Sequence, residues 1–400
     1  MMYMQVQRQL QIRKQKGYEI AKQSKIVLNG QKWLVPSQSS SKKYEVILRL
    51  DKSVCTCPDF LERSIKCKHI FAVEIKLSKE VNADGSITIT KKITYPQNWA
   101  LYDKGQIEEK SRFMELLSDL VNSVEEPQGK ATGRPLISVR DLLFASTLKV
   151  YTNFSLRRFM SDLESAKEKG YVNYTPCYAS VGHFMERESL TPILKELIGL
   201  SALPLKSVET NFAVDSSGFR TTKFMEYCKI KHHTKSEHEW IKAHICCGVK
   251  TNIITAVDIG DEWSGDTNRL IPLVEDTRNS GFLINEVSAD KAYSSRNNLN
   301  YIDSIGATPY IPFRVNATAK GLGSTIWRKM YHYVQLNRDE FLKHYHLRSN
   351  VESTFAMLKA KFSDLLRSKN RTAQVNELLL KILCHNIVVV NNEIQSLPII

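Results

Sequence analysis

Four metal-ligating side chains fall within fifteen residues: Cys55-Thr-Cys57, a gap of nine, then Cys67-Lys-His69. Thiolate and imidazole donors at this spacing suit one tetrahedral ion, and Zn2+ is the ion that such a set favours. The other cysteines, Cys177, Cys228, Cys246, Cys247 and Cys384, have no ligand-like spacing. The opening stretch MMYMQVQRQLQIRKQKGYEI carries charge but no apolar core of a secretory leader, so a disulfide framework is the poorer reading. With all four positions taken by protein, no open position is left for chemistry, and the expected Zn2+ site is structural.

The surroundings give that site a frame. SKKYEVILRLD over Ser41–Asp51 alternates as a strand does, with Tyr44, Val46 and Leu48 on one face. Cys55-Thr-Cys57-Pro58-Asp59 reads as the turn out of it, and IFAVEIKL over Ile70–Leu77 as a helix with His69 at its start. The CxC…CxH order behind a strand, preceded by Trp33…Val35-Pro36-Ser37, resembles the SWIM zinc finger. The expected unit is residues 41–83, after a basic segment over 1–40. Membership in that class implies contact with DNA or protein.

Charge points the same way. Lys and Arg number 56 against 42 Asp and Glu, a formal charge of +14. Residues 1–52 hold eleven Lys/Arg against three acids, and residues 343–371 hold seven against two, so the surplus comes in blocks. Blocks of this sign attract phosphate backbones by counterion release. No apolar run reaches the roughly 18–20 residues that a bilayer span needs, so no membrane partner is expected. The expected location is cytoplasmic, with the nucleoid as the site of action.

Residues 84–134 read as a helical segment with loop-like flanks, Val81–Tyr95 and Glu125–Pro135, the second a Pro/Gly linker. Over 135–205 the pattern is helical. Ser138 can cap a helix running through Val150, and Ser155 a second one reaching Lys169 before Gly170. Two helices across a short turn, with Arg157 and Arg158 at the start of the second, fit a DNA-binding helix-turn-helix. They equally fit a packing hairpin.

From residue 206 to 400 the expectation is a mixed-sheet α/β domain. Asn211–Val214, Ile241–Val249, Ile253–Ile259, Phe282–Val287 and Thr308–Pro312 read as strands, Thr267–Asn279 and Val351–Arg367 as helices. Asp215 and Asp290 each follow an apolar run and are expected where a strand hands over to a loop, the edge at which such sheets place ligands. With Glu352 they form three carboxylates from three elements, able to hold two hard cations, Mg2+ or Mn2+, for phosphoryl displacement. Asp258 and Asp261 are rivals for the second position. If the late helix begins before Tyr345, then Tyr345, Arg348, Glu352 and Lys359 fall within about 60° of one another at ~100° per residue. Val351, Phe355, Leu358 and Phe362 then form the adjoining apolar stripe. Ser349-x-x-Glu352 also matches a capping box, which would give Glu352 a purely structural task.

Tyr345-x2-Arg348-x3-Glu352-x6-Lys359 matches the YREK motif of insertion-sequence DDE transposases, spacing included. Asp290-Lys-Ala-Tyr293 and Val214-Asp215-Ser216-Ser217 resemble the surroundings of that family's two aspartates. Gly133-Arg134-Pro135 extends the likeness less specifically. The resemblance implies an RNase H-like catalytic domain in which Asp215, Asp290 and Glu352 hold Mg2+ or Mn2+. Tyr345, Arg348 and Lys359 would grip the phosphates of the transposon ends. It implies double-stranded DNA as partner, both element ends and target, and a homodimer in the active complex of a prokaryotic element. The short interval from Asp290 to Glu352 leaves no room for a large β-rich insertion; Trp240, Trp263 and Trp327 are the candidates for stacking on a base. The rival readings are a transposase-derived DNA-binding regulator and a nuclease of the same fold that cuts without joining.

Overall fold

Short strands and three short helices build the described part of the first of two compact units, Met1–Tyr102 and Asp103–Ile400. The structure, a computed structural model, describes residues 13–21, 25–29, 32–38, 42–48, 53–63, 65–76, 78–81, 87–90, 99–126, 136–221, 240–261 and 265–396. In the first unit a helix over 13–21 (α1) precedes β1 (Val27–Asn29), β2 (Lys32–Pro36), β3 (Lys43–Ile47) and β4 (Val54–Cys55), an antiparallel meander in sequence order. Two helices follow, α2 (Pro58–Arg63) and α3 (Lys68–Lys76). Alternation in β2 and β3 sends Trp33, Val35 and Val46 inward, where they pack with Phe60, Ile70, Val73 and the three cysteines Cys55, Cys57 and Cys67. The expected loop at Val81–Tyr95 instead contains half of a hairpin, β5 (Ser78–Val81) with β6 (Ile87–Thr90).

From α4 (Trp99–Asn122), which belongs to the second unit from Asp103 onward, the chain leads to a helical region. It comprises α5 (Val139–Thr152), α6 (Met160–Glu168), α7 (Tyr178–Met185) and α8 (Leu190–Ala202). Ser138 caps α5 as expected, accepting from the Asp141 amide. Ser155 does not cap α6, because its carbonyl takes the amides of Arg158 and Phe159 in a turn and the helix starts only at Met160. Residues 127–135, most of the expected linker with Gly133-Arg134-Pro135, lie outside the described residues.

The sheet that follows is mixed α/β, as expected. Its strands are β7 (Asn211–Phe219), β8 (Ile241–Gly248), β9 (Ile254–Asp261), β10 (Glu286–Ala289) and β11 (Thr308–Tyr310), in spatial order β11-β10-β7-β8-β9. β7 runs parallel to β10 and antiparallel to β8. The helices are α9 (Leu270–Asn279), α10 (Arg296–Ser304), α11 (Thr325–Leu336), α12 (Arg338–Tyr345), α13 (Ser349–Phe362) and α14 (Arg371–Ser396).

Period-two alternation splits β7 between two cores. Ala213 and Phe219 pack with Val351, Phe355, Leu358 and Phe362 of α13, whereas Phe212 and Val214 pack with Leu273, Val274 and Tyr293 on the other face. Glycine at 248 is required, because a Cβ there would lie 2.3 Å from Cδ of Glu209. That buried carboxylate accepts from the amides of Lys250 and Thr251 and holds the turn between β8 and β9. α14 is apolar and long enough to cross a bilayer by length and composition, but 94% of its most apolar stretch is buried inside the fold.

Candidate active site

Asp215 lies near the middle of β7, not at a strand end, because pairing with β8 continues through Phe219. Asp290 directly follows β10, where Ala289 pairs in parallel with Val214. The two aspartates therefore sit one step past a register pair, side by side on strands about 4.8 Å apart. Asp290 caps the turn after its strand, its Oδ1 accepting from the Ala292 amide at 2.6 Å.

Glu352 comes from the helix packed on the Asp215 side of the sheet. The chain stays helical from Arg338 to Phe362, with a 3-10 turn over His346–Arg348 between α12 and α13. No free helix start exists at Ser349, so the capping-box reading fails: Ser349 donates to the His346 carbonyl, and Glu352 accepts from Arg348. The helix ends at Phe362 rather than Arg367, since Ser363 takes φ 67° and the chain then pairs alongside Arg220. Ser363 holds that conformation while Lys381 donates to its carbonyl and to that of Leu365.

Arg348 joins two of the acids. Its Nη1 donates to Asp215 at 2.8 Å and its Nη2 to Glu352. Tyr345 lies beside the guanidinium, 5.9 Å from ring centre to Cζ. Lys359 donates to Ser217 at 2.8 Å and sits over the Phe219 ring. Burial lowers the Lys359 amine from its ordinary value. A cleft of about 670 Å³ opens beside this group, lined by Asp290, Arg348, Tyr345, Arg314, Arg338 and Tyr331 among others. Arg314 and Arg338 carry no sequence signal, for they reach the site only through the packing of α12 and the loop after β11.

The donor set fits hard cations. Burial pushes the Asp215 carboxyl above the usual carboxylate range, and the charges of Asp290 and Glu352 add to it against the pull of Ser216 and Arg348. A dication relieves that kind of repulsion, and three carboxylates offer oxygen donors only. As placed, the three are less tightly gathered than the cysteine site, with Glu352 turned to Arg348. The rivals are engaged elsewhere: Asp258 pairs with Lys195 and Arg269, and Asp261 with Arg371.

In the first unit the ligand atoms of Cys55, Cys57, Cys67 and His69 all lie within 4.8 Å of one another. Sγ of Cys55 and of Cys67 are each 3.9 Å from Nδ1 of His69, close to the roughly 3.5–3.8 Å edges of a tetrahedron with ~2.1–2.3 Å zinc bonds. The bond from Cys55 pulls the Cys67 thiol down to about 4, while that bond and burial push Cys55 up. The four buried ligands fit Zn2+ in a closed site.

Arg157 and Arg158 stand exposed in the turn before α6, Arg157 4.8 Å over the Tyr178 ring; among the described residues no contact joins them to the acids. Trp327 is buried and donates to the Thr318 carbonyl. Trp240 lies against Gly218 and is 37% exposed, and Trp263 and Cys228 fall outside the described residues.

The domain is a mixed α/β sheet with Asp215 on its central strand, Asp290 just past the neighbouring strand and Glu352 on a covering helix. Residues 206–387 match the family model of the transposase DDE domain, and residues 44–78 that of the SWIM zinc finger. The chain thus carries a transposase DDE domain behind a SWIM zinc finger. No curated protein matches it. Among solved structures it is similar to the piggyBac transposase synaptic complex with hairpin DNA, at 12% identity, 72% of each chain covered and a TM-score of 0.34.

Proposed function

We propose that this protein is the transposase of a prokaryotic insertion sequence of the YREK type, with an RNase H-like catalytic domain. The observation that carries the reading is the junction of Asp215, Asp290 and Glu352, with Arg348 and Lys359 alongside, inside the matched DDE domain. Asp215, Asp290 and Glu352 would hold two Mg2+ or Mn2+ ions. Such a pair, when bound, activates the attacking oxygen and stabilises the leaving one in an in-line displacement. Arg348 clamps a phosphate through its planar fork, Lys359 gives a point charge, and Tyr345 offers a hydroxyl and a stacking face. Water attack at the element boundary breaks the P–O3′ bond and leaves a 3′-hydroxyl and a 5′-phosphate. That hydroxyl then attacks a target phosphate and displaces its 3′-oxygen.

The finger, held by Zn2+ on Cys55, Cys57, Cys67 and His69, and the turn carrying Arg157 and Arg158 would read the double-stranded ends. Two ends per event call for a homodimer in the active complex. The test is nicking of a labelled duplex bearing the element's ends, with Mg2+ or with EDTA. Metal-dependent nicking at the boundary, lost in Glu352→Gln and in Asp290→Asn with DNA binding kept, supports the reading. Tight binding with no nicking would make the chain a DNA-binding regulator. Nicking without joining of pre-cut ends would make it a nuclease.

A further inference from the structure

Behind the acidic site, on the opposite face of the sheet, the dipeptide Asp266-Thr267 is bound to the strand that carries Asp215 and to the turn that follows the strand before Asp290. Asp215 accepts from the Ser216 amide at 2.8 Å, and the Ser216 hydroxyl in turn donates to Oδ1 of Asp266 at 3.0 Å. Asp290 accepts from the Ala292 amide at 2.6 Å, and the Ala292 carbonyl accepts from the Thr267 hydroxyl at 2.7 Å. Each catalytic carboxylate is therefore one residue removed from the same two-residue segment, by matching chains of hydrogen bonds.

The segment is itself anchored. Lys242 on β8 donates to Asp266 at 2.6 Å, Arg269 reaches Asp258 on β9, and the buried Asn298 donates to the carbonyls of both Thr267 and Tyr293. Four elements thus hold it in place while it touches neither the cleft nor the face on which Asp215 meets Arg348. Groups so arranged orient ligands, and loss of such an outer partner typically costs about 10–100-fold in metal affinity.

We infer that Asp266 and Thr267 are positioning residues that fix the separation of Asp215 and Asp290 for divalent metal. The inference rests on the reading of those two aspartates as metal ligands. Its test is calorimetric titration of the zinc-loaded full chain with Mn2+, without DNA, alongside thermal melting. Asp266→Ala should weaken Mn2+ binding by about 10–100-fold, with the melting temperature and zinc content kept. Thr267→Val should weaken it less. Asp266→Asn, whose amide oxygen still accepts from Ser216, should recover most of the affinity.

Wild-type Mn2+ affinity in a folded Asp266→Ala protein overturns the inference. Should that variant fail to fold, Thr267→Val and Ser216→Ala decide, and unchanged affinity in both overturns it equally. Asp215→Asn separates the two layers. If it leaves Mn2+ binding intact, the reading of the site falls and the brace with it; if it abolishes binding while the Asp266 and Thr267 variants keep wild-type affinity, only the brace falls.

Discussion

The guanidinium of Arg348 donates to the carboxylate of Asp215 at 2.8 Å across 133 residues of sequence, and with its other terminal nitrogen it binds Glu352. A divalent ion and this ion pair compete for the same oxygens, and a nearby fixed cation also repels the ion. Arg348→Ala should therefore bind Mn2+ several-fold more tightly in the absence of DNA. It should bind end DNA more weakly, and its log–log salt dependence should fall by about one unit if one phosphate contact is lost. Calorimetry and filter binding over a salt series read the two effects. An unaltered salt slope makes Arg348 an internal ion-pairing residue and no phosphate clamp.

His385, in the largely buried helix α14, donates from Nε2 to the Asn252 carbonyl, 3.0 Å away, and burial drives its imidazole down to about 4. Because the native state holds it neutral, the unfolded state, with a value near ~6.5, binds the extra proton first. Its contribution is present above pH ~6.5 and is lost as pH falls toward 4, at up to about 1.4 kcal/mol per pH unit. Denaturant midpoints at pH 7 and pH 5 should diverge less in His385→Gln than in wild type. An equal divergence in the two would assign the acid sensitivity to other groups, such as His244, also held at about 4 by burial.

Asn386, on the same helix, closes an open sheet edge. Its side chain accepts from the Ile254 amide at 3.0 Å and donates to the Ile254 carbonyl at 2.7 Å, satisfying β9 where, among the described residues, no further strand pairs. Asn386→Leu should cost roughly 2–6 kcal/mol, since two buried backbone groups lose their partner at about 1–3 kcal/mol each. Amide exchange at Ile254 should quicken more than at Ile245 in the interior strand. Equal protection in the variant would mean that water or a backbone shift replaces the amide.

What could be read along the chain was whatever local spacing encodes. The finger ligands sit within fifteen residues, and Arg348, Glu352 and Lys359 lie on one continuous helical run, so both patterns survive in one dimension. The edge clamp of Asn386 spans 132 residues and leaves no local trace. α14 itself shows little amphipathic contrast, because it is buried on nearly all sides and an apolar stripe needs a wet face to stand out. Asp215 is expected at a strand end because the apolar run Asn211–Val214 stops before it; pairing with β8 carries the strand on to Phe219. Asp266 is one acid among 42 until the fold brings Ser216 and Lys242 to it.

The zinc centre makes the last prediction. Its three cysteines occupy the centre of the first unit's core together with Trp33, Val35, Val46 and Ile70, so the ion and the apolar cluster stabilise one another. Structural Zn2+ contributes on the order of 10–16 kcal/mol in zinc-finger peptides, more than a core of this size supplies alone. Cys57→Ser, or chelation of the wild type, should unfold the first unit and leave the transition of Asp103–Ile400 in place, so that melting resolves two steps where one is independent of chelator. Replacement of Zn2+ by Co2+ should give the intense thiolate charge-transfer absorption of a Cys3His site, and Cys57→Ser should reduce it. A Cys57→Ser protein that keeps full zinc and an unchanged melting profile would show that Cys57 is only a core thiol.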